Sequence, residues 1–332
     1  MNDNEVLLEV KDLRVHFPVE QGIIFKRHIA SVRAVDGISF SVKRGEALGL
    51  VGESGCGKST CVMAIARLEK ISSGSVMFEG KDLTSLKTDE LTRARKDFQI
   101  IFQDPYSSLD PRMRAVDIVS QPLKIFVKQG LLSLSKEEIH AKAIDLLERC
   151  GLGASYADRY PHEFSGGQRQ RIGIARSLAL GPKLILADEP VSALDVSIQS
   201  QILNLMKDLK KEFGLTFLFI AHDLAVVEYF CDRVAVMYLG TIVELASSTK
   251  LYKNPMHPYT KALLSAVPVP NPVAAKKRKR IILSGDVPSP TRIHPGCPFA
   301  ERCPEVMEVC RHSRPLLKES GEEHQVACFL HE

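Results

Sequence analysis

The sequence predicts an α/β protein in which short buried strands deliver loops to a phosphate-binding site. Three observations predict it. Gly52-Glu53-Ser54-Gly55-Cys56-Gly57-Lys58-Ser59 is a complete GxxxxGKS loop behind the apolar run Ala47 to Val51. A second apolar run, Leu184-Ile185-Leu186-Ala187, ends in the carboxylate pair Asp188-Glu189. Between the two stands the pentapeptide Phe164-Ser165-Gly166-Gly167-Gln168.

Each element follows from local chemistry. Ala47 to Val51 fits a buried strand, and the glycines after it let successive N–H groups converge on phosphate oxygens. Lys58 to Leu68 reads as a helix whose N-terminal dipole end faces the same anion. Lys58 supplies a mobile charge for the β- and γ-phosphates, and the Ser59 hydroxyl is placed to ligate Mg²⁺. Residues 121 to 160 read as a mostly helical insert. Asp188 ends its strand where it could hold Mg²⁺, and Glu189 projects toward the γ-phosphate as general base. Val196 to Phe213 reads as an amphipathic helix with Ile198, Ile202, Leu205, Leu209 and Phe213 on its core face. The apolar run Leu215 to Ala221 delivers His222 to a strand end, and Val234 to Val243 reads as a hairpin turning at Gly240-Thr241.

Composition sets the surroundings. The chain has 332 residues, enough for a full α/β core plus a smaller module. It lacks a run of about 18 apolar residues, and Met1-Asn2-Asp3-Asn4-Glu5 lacks the features of a secretory signal. A cytosolic protein that meets membranes only through partners is therefore expected. A net charge of +4 is too small to argue for nucleic-acid binding. The basic run Lys276 to Arg280, after the Pro-rich segment Val267 to Pro272, reads as a solvated linker or as a contact for anionic lipid headgroups.

Together the motifs resemble the ATP-binding subunit of an ABC transporter over roughly the first 260 residues. Gly52 to Thr60 are similar to the Walker A motif, Gln103 to the Q-loop, and Ser165-Gly166-Gly167-Gln168 to the signature, with Phe164 where many members carry Leu. Asp188 and Glu189 match Walker B, Asp195 the D-loop, and His222 the switch histidine. Phe17 lies where the family places an aromatic against adenine. The resemblance implies a P-loop NTPase with a RecA-like core, an antiparallel β subdomain and a helical subdomain at about 110–180. It implies that Glu189, His222 and Gln103 act on the γ-phosphate of ATP with Mg²⁺, and that the signature acts in trans on ATP held by a second ATPase subunit. That subunit could be identical or homologous.

The C-terminal segment carries a second signal. Four of the eight cysteines fall at Cys297, Cys303, Cys310 and Cys328, a C-x5-C-x6-C-x17-C spacing. In a cytosolic chain such clustering argues for metal ligation over disulfides. Spacing alone leaves a [4Fe–4S] cluster and zinc open, and His312 and His324 lie close enough in sequence for a mixed zinc site. The segments Asn254 to Thr260 and Leu283 to Pro290, with these cysteines, are similar to the C-terminal extension of oligopeptide and dipeptide importer ATPases, closest to the second ATPase subunit. That resemblance favours a [4Fe–4S] cluster, with Zn²⁺ the alternative. It divides the chain into an ABC nucleotide-binding domain, 1–260, and a Cys-rich extension, 261–332. It implies two transmembrane permease subunits, an extracytoplasmic peptide-binding protein and a peripheral place on the cytoplasmic face of the membrane. Importers of nickel or glutathione, and soluble ABC ATPases outside transport, are the alternatives.

Of the other cysteines, Cys61, Cys150 and Cys231 read as small core side chains. Cys56, beside Lys58 and a helix N-terminus, is expected to favour thiolate, so that alkylation there would block ATP binding.

Overall fold

The structure is a computed structural model that describes residues 5–21, 27–104, 106–267, 280–292 and 294–332. Most of the Pro-rich segment and of the basic run at 276–280 lies outside the described residues. The chain divides into two compact units, residues 85–220 and residues 5–84 with 221–332.

In the first unit three parallel strands, β6 (Phe98–Ile101), β7 (Leu184–Asp188) and β8 (Thr216–Ile220), pair with Phe98 opposite Leu184 and Leu184 opposite Thr216. Every residue of β7 and β8 is buried, the pattern of parallel strands covered on both faces. Each fully buried Leu, Ile or Phe there contributes roughly 1.5–3 kcal/mol. The helical insert is observed as α3 (Ala115–Lys128) and α4 (Lys136–Arg149), which pack on each other and on α5 (Gly166–Leu178). A capping box starts α4: the Ser135 hydroxyl accepts the Glu138 N–H at 3.1 Å, and the Glu138 carboxylate accepts the Ser135 N–H at 2.7 Å.

The helix at 196–213 is present as α6 (Val196–Phe213), but its buried face is Ile202, Leu203, Met206 and Leu209. Phe213, expected in the core, is exposed, with the Arg149 guanidinium 5.5 Å over its ring. The stripe shifts because Leu203 and Met206 are as apolar as the residues chosen from the period, and packing decides between two overlapping faces.

The second unit holds two sheets. Long antiparallel strands β1 (Val6–Gln21) and β2 (Arg27–Lys43) are joined by β4 (Ser73–Phe78), which pairs with β1. Separately, β3 (Ala47–Val51) runs parallel to β9 (Arg233–Tyr238), and β9 forms a hairpin with β10 (Thr241–Ser247). The hairpin turns at Leu239-Gly240, one residue earlier than the sequence suggested; both have positive φ, 43° and 77°. Near the C-terminus, β12 (His324–Val326) pairs with β10, and β11 (Lys318–Glu319) pairs with β12. The helix after the phosphate loop, α1 (Lys58–Ile65), stops three residues before Leu68, and Arg67 has left the helix at φ 56°.

Candidate functional site

The phosphate loop lies in the second unit, with Phe17 and His222; Gln103, the signature, Asp188, Glu189 and Asp195 lie in the first. β3 is wholly buried and sets where the loop begins. Gly57 is the N-cap of α1 at φ 104°, and a Cβ there would fall 1.9 Å from the Ala34 carbonyl oxygen. No other residue fits that position. The Lys58 ammonium is buried and donates to the carbonyls of Gly52 at 2.8 Å and Glu53 at 3.0 Å. Its stem therefore lies folded back over the loop it serves. Ser59, the second residue of α1, is exposed.

Cys56 departs from expectation. It is buried, and burial raises its thiol pKa despite Lys58 3.7 Å away. The desolvation of a thiolate outweighs one nearby cation that is already shared between two carbonyls, so the expected reactive thiolate is corrected to a protonated packing thiol. Cys61, Cys150 and Cys231 are buried as read, and burial pushes the Cys61 and Cys150 thiols up to about 12.

In the first unit β7 delivers Asp188, buried at the strand end, and Glu189 in the turn that follows. Glu189 has φ 45°, a left-handed conformation that costs a non-glycine residue on the order of 1 kcal/mol or more. The turn holds it there: its N–H donates to the Ile220 carbonyl at 3.1 Å, and its own carbonyl accepts the Ser192 hydroxyl at 3.1 Å. Its carboxylate accepts the Gln103 side-chain amide at 3.0 Å. Two residues separated by most of the unit's sequence thus meet at one carboxylate.

The signature is a helix cap. Ser165 is the N-cap of α5; its hydroxyl accepts the Gln168 N–H at 3.3 Å, and the Gln168 side chain accepts the Ser165 N–H at 3.0 Å. Gly167 lets α6 approach, since a Cβ there would lie 2.5 Å from the Ile198 side chain. Arg169 anchors the cap from below, donating to the Pro161 carbonyl at 2.7 Å while its guanidinium lies 3.6 Å over the Tyr106 ring. Phe164 is buried, so the larger residue at this position serves as a core anchor. Asp195 is the N-cap residue of α6 and is exposed. His222 is exposed at the end of its run, and Phe17 is half-buried on β1.

Cys297, Cys303, Cys310 and Cys328 line one small pocket with Phe299 and His257. Burial pushes the Cys297 thiol up to about 11, and the neighbouring three sulfurs push it the same way. Backbone N–H groups two residues on, at Phe299, Glu305 and Leu330, donate to Cys297, Cys303 and Cys328. Four thiols with N–H donors are the donor chemistry of an iron–sulfur cluster. Among the described residues, however, no group of three or more His, Cys, Asp or Glu is arranged to hold a metal ion. The histidines of a mixed zinc site are engaged elsewhere: His324 is hydrogen-bonded to buried Glu244 at 2.7 Å, and His312 to Glu308 on the surface at 2.9 Å. Two residues had no site role in the sequence: Tyr259, part of the segment Asn254 to Thr260, and Arg302 contact Glu53 of the phosphate loop from far downstream.

The geometry has relatives. The ABC transporter family model matches residues 35–192, and the model for the oligopeptide/dipeptide transporter C-terminal region matches residues 243–310. The chain is 50% identical to the oligopeptide transport ATP-binding protein AppF of Bacillus subtilis, over 99% of this chain and 98% of that protein. It is 49% identical to the oligopeptide transport ATP-binding protein OppF of Salmonella typhimurium, over 99% and 97%. Among solved structures, a dimeric ATP-binding cassette, MJ0796, captured after hydrolysis with ADP and Pi, matches at TM-score 0.63 and 30% identity, over 73% of this chain and 98% of that one. An ATP-binding cassette is the class these matches define. More narrowly, the chain belongs to the family of ABC transporter ATP-binding proteins that includes the oligopeptide transport subunits.

Proposed function

We propose that this chain is the ATP-hydrolysing subunit of an importer of oligopeptides or dipeptides, a reading carried by near-full-length identity of about half to oligopeptide transport ATP-binding proteins. No helix among the described residues is long and apolar enough to cross a membrane. The chain would work at the cytoplasmic face beneath separate permease subunits, beside a second ATPase subunit, with peptide supplied by an extracytoplasmic binding protein. Nucleotide is held by the loop at 52–60, with Lys58 on the β- and γ-phosphates and Phe17 against adenine. Ser59, Gln103 and Asp188 are the residues that would hold Mg²⁺, which supplies charge neutralisation on the phosphates.

Glu189 takes the proton of the attacking water as its oxygen bonds to the γ-phosphorus and the bond to ADP breaks. The amide of Gln103 orients the carboxylate for that step, and the strained turn keeps it from relaxing away. His222 stabilises the γ-phosphoryl group as it passes from ADP to water. Ser165, Gly166, Gly167 and Gln168 serve the partner subunit's nucleotide at the N-terminus of α5, and Asp195 lies on the turn before α6.

For the extension, 261–332, the proposal is a [4Fe–4S] cluster on Cys297, Cys303, Cys310 and Cys328 with a structural role. Its support is the shared pocket and the three backbone N–H donors.

The decisive test of the enzyme is Glu189→Gln. It lowers turnover about 10²- to 10⁴-fold while ATP binding stays near the parent value. Turnover within a few-fold of the parent would refute the assignment of the base.

A further inference from the structure

Glu53 is an acidic residue inside a loop that binds phosphates, and a carboxylate there opposes the anion it would face. Several groups grip it. The Arg302 guanidinium meets both carboxylate oxygens, at 2.7 and 3.1 Å, in the bidentate geometry that Arg alone provides. The Arg302 side chain is only 8% exposed and that of Glu53 28%, so solvent screens this pair in part. The Glu53 N–H donates to the Tyr259 hydroxyl at 2.9 Å, and the Glu53 carbonyl accepts from Lys58. Three groups of one residue are thus engaged, two of them by side chains lying beyond residue 250.

Both outside partners are rigid. Tyr259 is fully buried, 4.7 Å from the Tyr238 ring and 5.4 Å from the Phe299 ring, centroid to centroid. Phe299 accepts the Arg302 N–H at 3.0 Å through its carbonyl, in the turn that carries Cys297 and Cys303. The same aromatic cluster therefore seats both contacts to the loop. A surface ion pair would contribute little, but a partly buried fork on a packed guanidinium fixes both the charge and the position of its partner.

We infer that Arg302 and Tyr259 are positioning residues for nucleotide binding: they neutralise Glu53 and hold its backbone, so that the phosphate loop presents its N–H groups and Lys58 to ATP. The inference rests on the reading that the loop at 52–60 holds ATP. Without Arg302, the Glu53 carboxylate faces the phosphates uncompensated. Without the Tyr259 oxygen, only the backbone tether is lost.

The test is equilibrium binding of Mg²⁺ with the non-hydrolysable analogue AMP-PNP to the full-length chain, with a thermal melt of each variant. Arg302→Ala weakens binding about 10-fold, and Arg302→Lys by roughly 3-fold, since it keeps the charge without the fork. Adding Glu53→Gln to Arg302→Ala restores binding to within about 3-fold of the parent, a recovery that general loosening of the fold does not give. Tyr259→Phe, which keeps the ring packing, weakens binding about 3-fold and carries the test if Arg302→Ala fails to fold. Arg302→Ala binding within about 2-fold of the parent, or no recovery with Glu53→Gln, overturns the inference. A parent protein that does not bind the analogue overturns the ATP reading itself, and the inference with it.

Discussion

The phosphate loop and the four-cysteine pocket lie in the same unit and are both small concavities lined by repeated polar groups, yet they are stabilised in opposite ways. The charges of the loop are compensated within the fold. Lys58 is shared between two loop carbonyls, Glu53 is matched by Arg302, and the glycine at 57 lets the backbone close. The pocket brings four thiols together, and burial raises the pKa of Cys297, Cys303 and Cys328 and outweighs the pull of Lys261 on Cys328. A site for an anion can be completed by backbone amides and one lysine, which fold together with the chain. A site of thiolates is completed only by a positive centre, because desolvation and mutual repulsion both oppose its ionisation.

Breaking the loop gives the largest effect. Gly57→Ala places a Cβ against the Ala34 carbonyl and forces φ out of its range, so ATP binding falls by about 100-fold or more, measured by equilibrium titration. If alanine there binds ATP normally, the loop is not preset by its backbone.

The pocket side responds to pH. Burial lowers the His257 pKa to about 4, and its neutral ring accepts the Tyr259 N–H at 3.1 Å. A depressed histidine pKa means that its contribution is intact above about pH 6.5 and is lost as pH falls toward 4. Glu244 adds to the same trend. Burial raises its pKa, but hydrogen bonds from His324 and the backbone outweigh that and leave it lowered. Urea melts from pH 7 to pH 4 should show a loss of roughly 2–3 kcal/mol, shallower in His257→Gln.

Cys303→Ser sharpens the comparison at the next level. It removes iron and sulfide from anaerobically purified protein and costs roughly 1–3 kcal/mol in chemical melts. Stoichiometric zinc without iron, or a variant with the parent's stability, would leave the pocket as a set of packed thiols. The smallest effect is at Cys56. Brief iodoacetamide treatment of the native protein, mapped by mass spectrometry, leaves that thiol unlabelled and ATP affinity unchanged. Rapid labelling there would restore the thiolate that its neighbours in the sequence suggested.

Much of this is legible in the amino-acid sequence alone. A strand, a glycine loop and a lysine adjacent in sequence are held together by peptide geometry, so GxxxxGKS specifies its own cradle. The same holds for Ser165 and Gln168, whose three-residue spacing makes a capping box. Short apolar runs located β3, β7 and β8, because buried parallel strands leave no polar face to interrupt them. Where the spacing is long, sequence falls silent. That Gln103 donates to Glu189, or that Arg302 and Tyr259 hold Glu53, depends on which strands pair and which loops they carry together.

Two misreadings have the same origin. The thiolate expected at Cys56 came from its chain neighbours, but its ionisation is set by the solvent that the packed unit excludes. The core face of α6 came from a period, but two overlapping stripes satisfy it, and packing buried Leu203 and Met206 and left Phe213 exposed. Local geometry and the residue types available at the candidate site were determined by the sequence itself, since peptide geometry and side-chain chemistry act within a few residues. Burial, charge compensation and the partners of each functional group were decided by tertiary structure, because dielectric environment and close packing exist only once distant segments have met.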